Sequence, residues 1–199
     1  MAQIIIPEGS APSTPSAATA AFYVKADGHM YSKDDGGIES GPFGGMLMTY
    51  TSASGTSVDF TGIPAGVKKI TIMFIGISTS GTSNPLIQIG DSGGIETTGY
   101  LGAGGSLSAS PAASNFTTGF GINGNSAANV YHGAITICLA DLSTNTWIAS
   151  GALGLSNTAA LVLTGGSKAL SPGPLDRVRI TTVGGSDTFD AGSLNVIYE

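Results

Sequence analysis

Lys68–Ser78 reads KKITIMFIGIS. In an extended chain, Ile70, Ile72 and Phe74 fall on one face of this run, and Met73, Ile75 and Ile77 fall on the other. The run is read as a β-strand, and because both faces are apolar it is expected to be buried. Strand-like runs follow it along the chain, separated by Gly, Ser, Thr and Asn. They are Leu47–Thr51, Val58–Phe60, Leu86–Ile89, Phe116–Ile122, Tyr131–Leu142, Thr146–Leu153, Leu161–Leu163, Arg177–Val183 and Ser193–Tyr198. Regular spacing with turn residues between the runs predicts an all-β fold, a β-sandwich of the jelly-roll kind. Ala109–Ser114 contains Pro111 and no helical apolar period, so little or no helix is expected. No repeat of 20 to 50 residues is visible, which disfavours propellers and solenoids.

Upstream the composition changes. Residues 7–20, from Pro7 through Pro12 and Pro15 to Ala20, are rich in proline and small residues and predict an extended arm. Phe22–Ala26 and His29–Lys33 then flank Asp27-Gly28, the strongest short-range hairpin signal in the chain. The chain therefore divides into an arm and β-hairpin over residues 1–42 and a sandwich domain over 43–199.

Of the 199 residues, 10% are charged and 41% hydrophobic. A surface so poor in charge does little to keep copies apart, so an oligomer is expected, a homotrimer of closed cyclic symmetry. The net charge of -6 and the scatter of seven basic residues disfavour nucleic acid, whose phosphates need clustered Lys and Arg. The opening stretch lacks a basic segment followed by a long apolar one, and no run of about 18 apolar residues occurs, so no membrane partner is expected. Cys138, the single cysteine, sits in the apolar run Ala134–Leu139 and is read as a small buried hydrophobe.

Several short motifs invite chemistry. Gly90-Asp91-Ser92-Gly93-Gly94 spells the surroundings of a chymotrypsin-like nucleophile, but a histidine and an aspartate in that family's order are missing. His29 sits in a turn, and His132 follows the serine. This segment is read as a Gly-rich turn. Gly119-Phe120-Gly121-Ile122-Asn123-Gly124 fits G-x-G-x-x-G, yet Asn125–Asn129 supplies no helix whose N-terminus could hold a phosphate. Asp27, Asp34, Asp35 and Glu39 lack EF-hand spacing and are read as turn carboxylates. Asn115-Phe116-Thr117 is a glycosylation triplet without a secretory signal. Trp147, Tyr100, Tyr131 and Tyr50 have the chemistry of sugar-stacking platforms, with core packing favoured for Trp147 by its apolar neighbours. No catalytic residue, cofactor or metal is expected.

Pro12–Glu39, PSTPSAATAAFYVKADGHMYSKDDGGIE, resembles a module of tailed-phage fibre and appendage proteins, carried by Tyr23, Lys25, Ala26, Asp27, Gly28, Tyr31, Ser32, Lys33 and Asp34. Phe60–Pro64, Val67–Ile70, Ser78–Ser83, Gly90–Glu96, Gly99–Leu101 and the ending Phe189–Glu199 resemble a domain recurrent in phage tail-fibre and virion proteins. The resemblance implies a virion structural protein that is not an enzyme, made in the host bacterial cytoplasm and carried on the particle surface. Its brevity and lack of a shaft favour a head decoration (cement) or head-fibre protein. Its expected partners are further copies of itself and the major capsid protein or another virion protein. The alternative is a receptor-binding tail appendage whose loops Gly102–Ser114 and Phe120–Asn129 meet a host glycan. The residues assigned to attachment are Ile4, Ile5, Ile6, Tyr23 and Tyr31; an exposed apolar triplet ahead of a Pro-rich arm is expected to be covered by a partner.

Overall fold

A computed structural model describes residues 6–41 and 43–199, and among them every regular element is a strand. The first four are β1 (Glu8–Gly9), β2 (Ala21–Lys25), β3 (Met30–Lys33) and β4 (Glu39–Ser40), which form a separate four-stranded sheet in that order. The body follows with β5 (Met46–Leu47), β6 (Thr51–Ser52), β7 (Val58–Thr61), β8 (Lys69–Thr79), β9 (Pro85–Asp91) and β10 (Gly94–Ile95). It continues through β11 (Leu101–Leu107), β12 (Ala112–Phe116), β13 (Phe120–Gly121) and β14 (Tyr131–Asp141). The last are β15 (Thr146–Leu155), β16 (Leu161–Ala169), β17 (Arg177–Thr182) and β18 (Phe189–Tyr198).

The body is an all-β, sandwich-type structure. Its large sheet runs β12-β11-β16-β15-β14-β8-β18-β5, with β6 also on β18, and its smaller sheet runs β10-β9-β17-β7, with β13 also on β9. One core joins them. Val58, Phe60, Ile87, Ile89, Val178 and Ile180 from the smaller sheet and Ile70, Ile72, Phe74, Ile137, Trp147 and Val196 from the large one belong to the same buried cluster. Alternation does this work: in β7 the pattern buried-exposed-buried-exposed sends Val58 and Phe60 inward and Asp59 and Thr61 outward.

The strand that decides the fold departs from its expected burial. Ile70, Ile72 and Phe74 are buried, but Met73 is only partly covered and Ile75 is 47% exposed. Ile77 does not share their face. Gly76 adopts φ +68, and the register slips there so that Ile77 pairs with Tyr131 and Ile75 with the next residue, His132. This bulge inverts the alternation and returns Ile77 to the core at 0% exposure. The strand thus has one core face and one open face. Cys138 pairs opposite Lys69 on that open side and is half-buried, contrary to the expected full burial.

Two segments read as loops or irregular chain are strands. Leu101–Leu107 and Ala112–Phe116 pair as a hairpin, so most of the supposed loop Gly102–Ser114 belongs to the large sheet. The proline-rich arm likewise folds back. Glu8 and Gly9 pair in parallel with Val24 and Lys25, the Lys33 ammonium donates to the Pro12 carbonyl at 3.0 Å, and the Ala18 amide donates to Asp35 Oδ2 at 2.7 Å.

Candidate attachment surface

The N-terminal sheet has two unlike faces because β2 and β3 pair in register, Phe22 with Ser32, Tyr23 with Tyr31 and Val24 with Met30. On the inner face the Tyr23 and Tyr31 rings stack with centroids 6.1 Å apart, and the Lys25 ammonium lies 4.1 Å from the centre of the Tyr31 ring. Glu39 on β4 receives both the Tyr23 hydroxyl and the Lys25 ammonium. The Tyr31 hydroxyl donates to Asp27 Oδ2 at 2.7 Å, and the His29 amide donates to Asp27 Oδ1 at 3.0 Å across the Asp27-Gly28 turn. Burial, then the hydrogen bond to Glu39 and its charge, push the Tyr23 hydroxyl well above its usual pKa; burial and Asp27 do the same for Tyr31. Desolvation opposes ionisation of Asp27, but the His29 amide, the Tyr31 hydroxyl and nearby positive charge outweigh it and hold its carboxyl low.

This face closes against the body. Gly66, at φ +96, brings its backbone so near β4 that an added Cβ would stand 2.6 Å from the Glu39 carbonyl oxygen. A small cleft of about 80 Å³ at the junction is lined in part by Ile38, Glu39, Val67, Leu139, Trp147 and Leu175. Tyr23 and Tyr31 are therefore interior residues, 8% and 0% exposed. They set the shape of the module and are not laid out for a partner to touch. Ile4 and Ile5 lie outside the described residues, and Ile6 is 36% exposed.

What the module does present is the opposite face. Phe22 is 64% exposed and Met30 43%, and Phe43 joins Phe22 with ring centroids 6.4 Å apart. Phe22 and Met30 alternate with the two tyrosines, so period two separates the faces in the sequence, but the choice of inner face rests on Glu39, fourteen residues beyond Lys25.

The other candidate sites resolve into structural roles. Asp91 accepts the Gly93 amide at 2.7 Å and the Gly173 amide at 2.8 Å, and these bonds lower its pKa. Ser92 is exposed in the turn between β9 and β10, whereas His29 lies in the N-terminal hairpin and His132 on the large sheet. The glycines of residues 119–124 serve close packing. A Cβ on Gly121 would stand 2.2 Å from the Phe116 ring, and one on Gly119 would stand 2.5 Å from Leu86 Cγ. Asp34 accepts the Ile38 amide at 2.7 Å, Asp35 is held by Ala18, and no cluster of His, Cys, Asp or Glu suited to a metal occurs among the described residues.

For sugars, the structure offers a shallow polar cleft of about 420 Å³ on the outside of the smaller sheet. Three of its polar side chains are engaged internally, while the buried Thr182 hydroxyl, which also lines it, has no hydrogen-bond partner. Gln88 donates to the Thr118 carbonyl at 2.9 Å, Thr181 to the Thr56 carbonyl at 2.8 Å, and Arg179 forms a two-point pair with Asp59 at 2.7 Å. Trp147, Tyr100 and Tyr131 are buried, and only Tyr50 of the four aromatic candidates is exposed. The segment expected to be an adaptable loop at Phe120–Asn129 is tied down by Asn125, which donates to Thr79 Oγ1 at 2.9 Å and to the Ser83 carbonyl at 2.8 Å. Compared with family models, curated proteins and solved structures, the chain matches none.

Proposed function

We propose that this chain is a structural protein of a tailed-phage particle, a trimeric capsid decoration or head-fibre protein that binds the shell through its N-terminal module and stabilises it. The reading starts from the resemblance of residues 12–39 and of the body to phage virion proteins. The observation that carries it is the module's architecture: a small sheet, anchored to the body by its tyrosine face, turns Phe22, Met30 and Phe43 outward. Exposed aromatic and methionine side chains are the residues that dominate protein interfaces. Capsid protein, or another virion protein, is the proposed occupant, and the chain acts there as cement by adding binding free energy across subunit boundaries. The sandwich is read as a jelly-roll variant, and no catalytic, cofactor or metal role is assigned to it. A host glycan receives less support, because Trp147, Tyr100 and Tyr131 are buried and offer no ring for a sugar to stack on.

The test is a particle-binding assay with the full chain and with a Phe22→Ser, Phe43→Ser variant, both positions being exposed. Loss of co-sedimentation with undecorated particles, with the β-sheet circular dichroism unchanged, is the expected result. Undiminished binding by the variant would overturn the attachment assignment.

A further inference from the structure

The outer face of the smaller sheet carries a polar row that crosses three strands. Asp59 of β7 stands opposite Arg179 of β17, and Arg179 stands opposite Gln88 of β9. Their chain neighbours Phe60, Val178 and Ile89 belong to the buried core, so alternation turns all three polar side chains away from it. The row is fixed but not saturated. Arg179 commits Nε and Nη2 to Asp59, and Gln88 commits its amide nitrogen to the Thr118 carbonyl. Arg179 Nη1 and Gln88 Oε1 are left without partners among the described residues. Clefts of about 420 Å³ and about 290 Å³ meet at this row and share Arg179 and Thr97 in their walls. Thr182, at the end of β17, also lines the larger cleft, and its buried hydroxyl has no partner. A buried hydroxyl left unpaired is costly, and it marks a place where a partner can arrive from outside.

We infer that this groove binds an uncharged oligosaccharide. The charges on the face cancel, Arg179 with Asp59 and Arg177 with Asp176, so an anion gains little from either guanidinium. Leu86 and Val183 are the only apolar side chains in the walls of the larger cleft, which gives an apolar ligand or the side chains of a docked peptide no pocket. Sugar hydroxyls both donate and accept. They can therefore meet the free guanidinium N–H, the free amide oxygen and the exposed threonines 97 and 118 together. From Arg177 to Thr181 the face extends about 13 Å, at about 3.3 Å per residue, which suits a short chain of sugar rings better than one ring. No aromatic side chain lines either cleft, so hydrogen bonds carry the contact and a weak complex is expected. The groove lies apart from the loops and aromatic residues that the sequence puts forward for sugars. It goes beyond the attachment reading and does not depend on what the N-terminal module binds.

An array of uncharged and acidic oligosaccharides, probed with the full chain and with Thr97→Leu, Thr182→Val and Ser150→Leu, tests it. Thr97 is exposed in the groove, and Ser150 is exposed on the large sheet. The unsubstituted chain and Ser150→Leu are expected to bind the same uncharged oligosaccharides. Thr97→Leu, which sets an apolar branch where both clefts meet, is expected to weaken that binding about tenfold. Thr182→Val is expected to weaken it several-fold while its thermal midpoint stays at or above that of the parent, because the hydroxyl it removes has no partner in the chain. Should one of these variants not fold, the other decides. No signal on any uncharged oligosaccharide, a signal confined to acidic ones, or undiminished binding by folded Thr97→Leu and Thr182→Val would overturn the inference. The Phe22→Ser, Phe43→Ser variant is expected to keep the oligosaccharide signal while losing particles, so the two readings fail separately.

Discussion

The Lys168 ammonium is buried between the two sheets of the body, where it pairs with the Glu96 carboxylate and lies 5.6 Å from the centre of the Tyr100 ring. Lys168 alternates with Val162 and Thr164 on the core side of β16, while Glu96 follows β10 of the smaller sheet. The ion pair therefore ties one layer to the other. Lys168 also donates to the Ala169 carbonyl at 2.7 Å, and Glu96 accepts the Ser171 amide at 2.9 Å. Removing the carboxylate alone leaves a buried cation without its counter-charge. Glu96→Ala is expected to lower the unfolding free energy by about 3 kcal/mol, while Lys168→Met combined with Glu96→Leu recovers most of the loss. Urea unfolding of the singles and the double measures both. A Glu96→Ala chain as stable as the parent would show that the pair carries no weight.

Tyr131 makes stability fall at high pH. It is 1% exposed, its hydroxyl donates to Asn125 Oδ1 at 2.7 Å, and burial pushes its pKa up to about 12. The unfolded tyrosine ionises near pH 10. Between those values the unfolded chain has lost a proton that the folded chain keeps, so stability present below about pH 10 is lost as pH rises toward 12. The loss from this one group is on the order of 2 kcal/mol. Urea midpoints measured across this range should drop more steeply for the parent than for Tyr131→Phe. Parallel curves would remove Tyr131 as the cause.

The Gly90–Gly94 segment separates a structural aspartate from a dispensable serine. Asp91 is 2% exposed and bonds two backbone amides, Gly93 in its own turn and Gly173 in the chain before β17. Asp91→Ala leaves both amides without their partner and is expected to cost about 1–3 kcal/mol. Ser92→Ala, at an exposed position, should change stability by less than about 0.5 kcal/mol. The Asp91 contribution also has a pH signature. Because the folded pKa is lowered, its stabilisation is present above the unfolded carboxylate range and lost as pH falls through the folded value. Unfolding curves for both variants at neutral and acid pH check these outcomes, and equal effects at the two positions would refute the assignment.

Strands with strong apolar alternation were legible in the sequence. Lys69–Thr79, Tyr131–Asp141 and Thr146–Leu155 emerge close to their predicted bounds. The phase of Lys69–Thr79 was not, because a one-residue bulge at Gly76 reverses which face the next side chain takes, and apolar pattern alone does not mark it. Leu101–Leu107 was missed for a different reason: Gly-Ala-Gly-Gly-Ser carries none of the β-branched or aromatic residues that signal a strand. Its pairing with β16 comes from backbone groups and from the need to cover the core. At the candidate site, period two put Phe22 and Tyr23 on opposite faces, but only the fold brings Glu39 across to make the tyrosine side the inner one.

Two of the glycines in Leu101–Leu107, Gly102 and Gly104, sit where the backbones come too close for anything larger. A Cβ on Gly104 would lie 2.3 Å from the Gly121 carbonyl oxygen and 3.1 Å from the Asn123 amide nitrogen. Both contacts are with backbone, so no side-chain rotation relieves them. Gly105, one residue on, faces the open side, where the nearest atom to a Cβ would be 3.4 Å away. Gly104→Ala forces β11 away from β13 and is expected to cost about 1–3 kcal/mol, or more if the two strands separate. Gly105→Ala removes backbone freedom from the unfolded chain and is expected to be close to neutral. Thermal unfolding of the two variants gives the comparison. A loss at Gly105 equal to that at Gly104 would mean that β11 needs glycine for flexibility and not for close approach to β13.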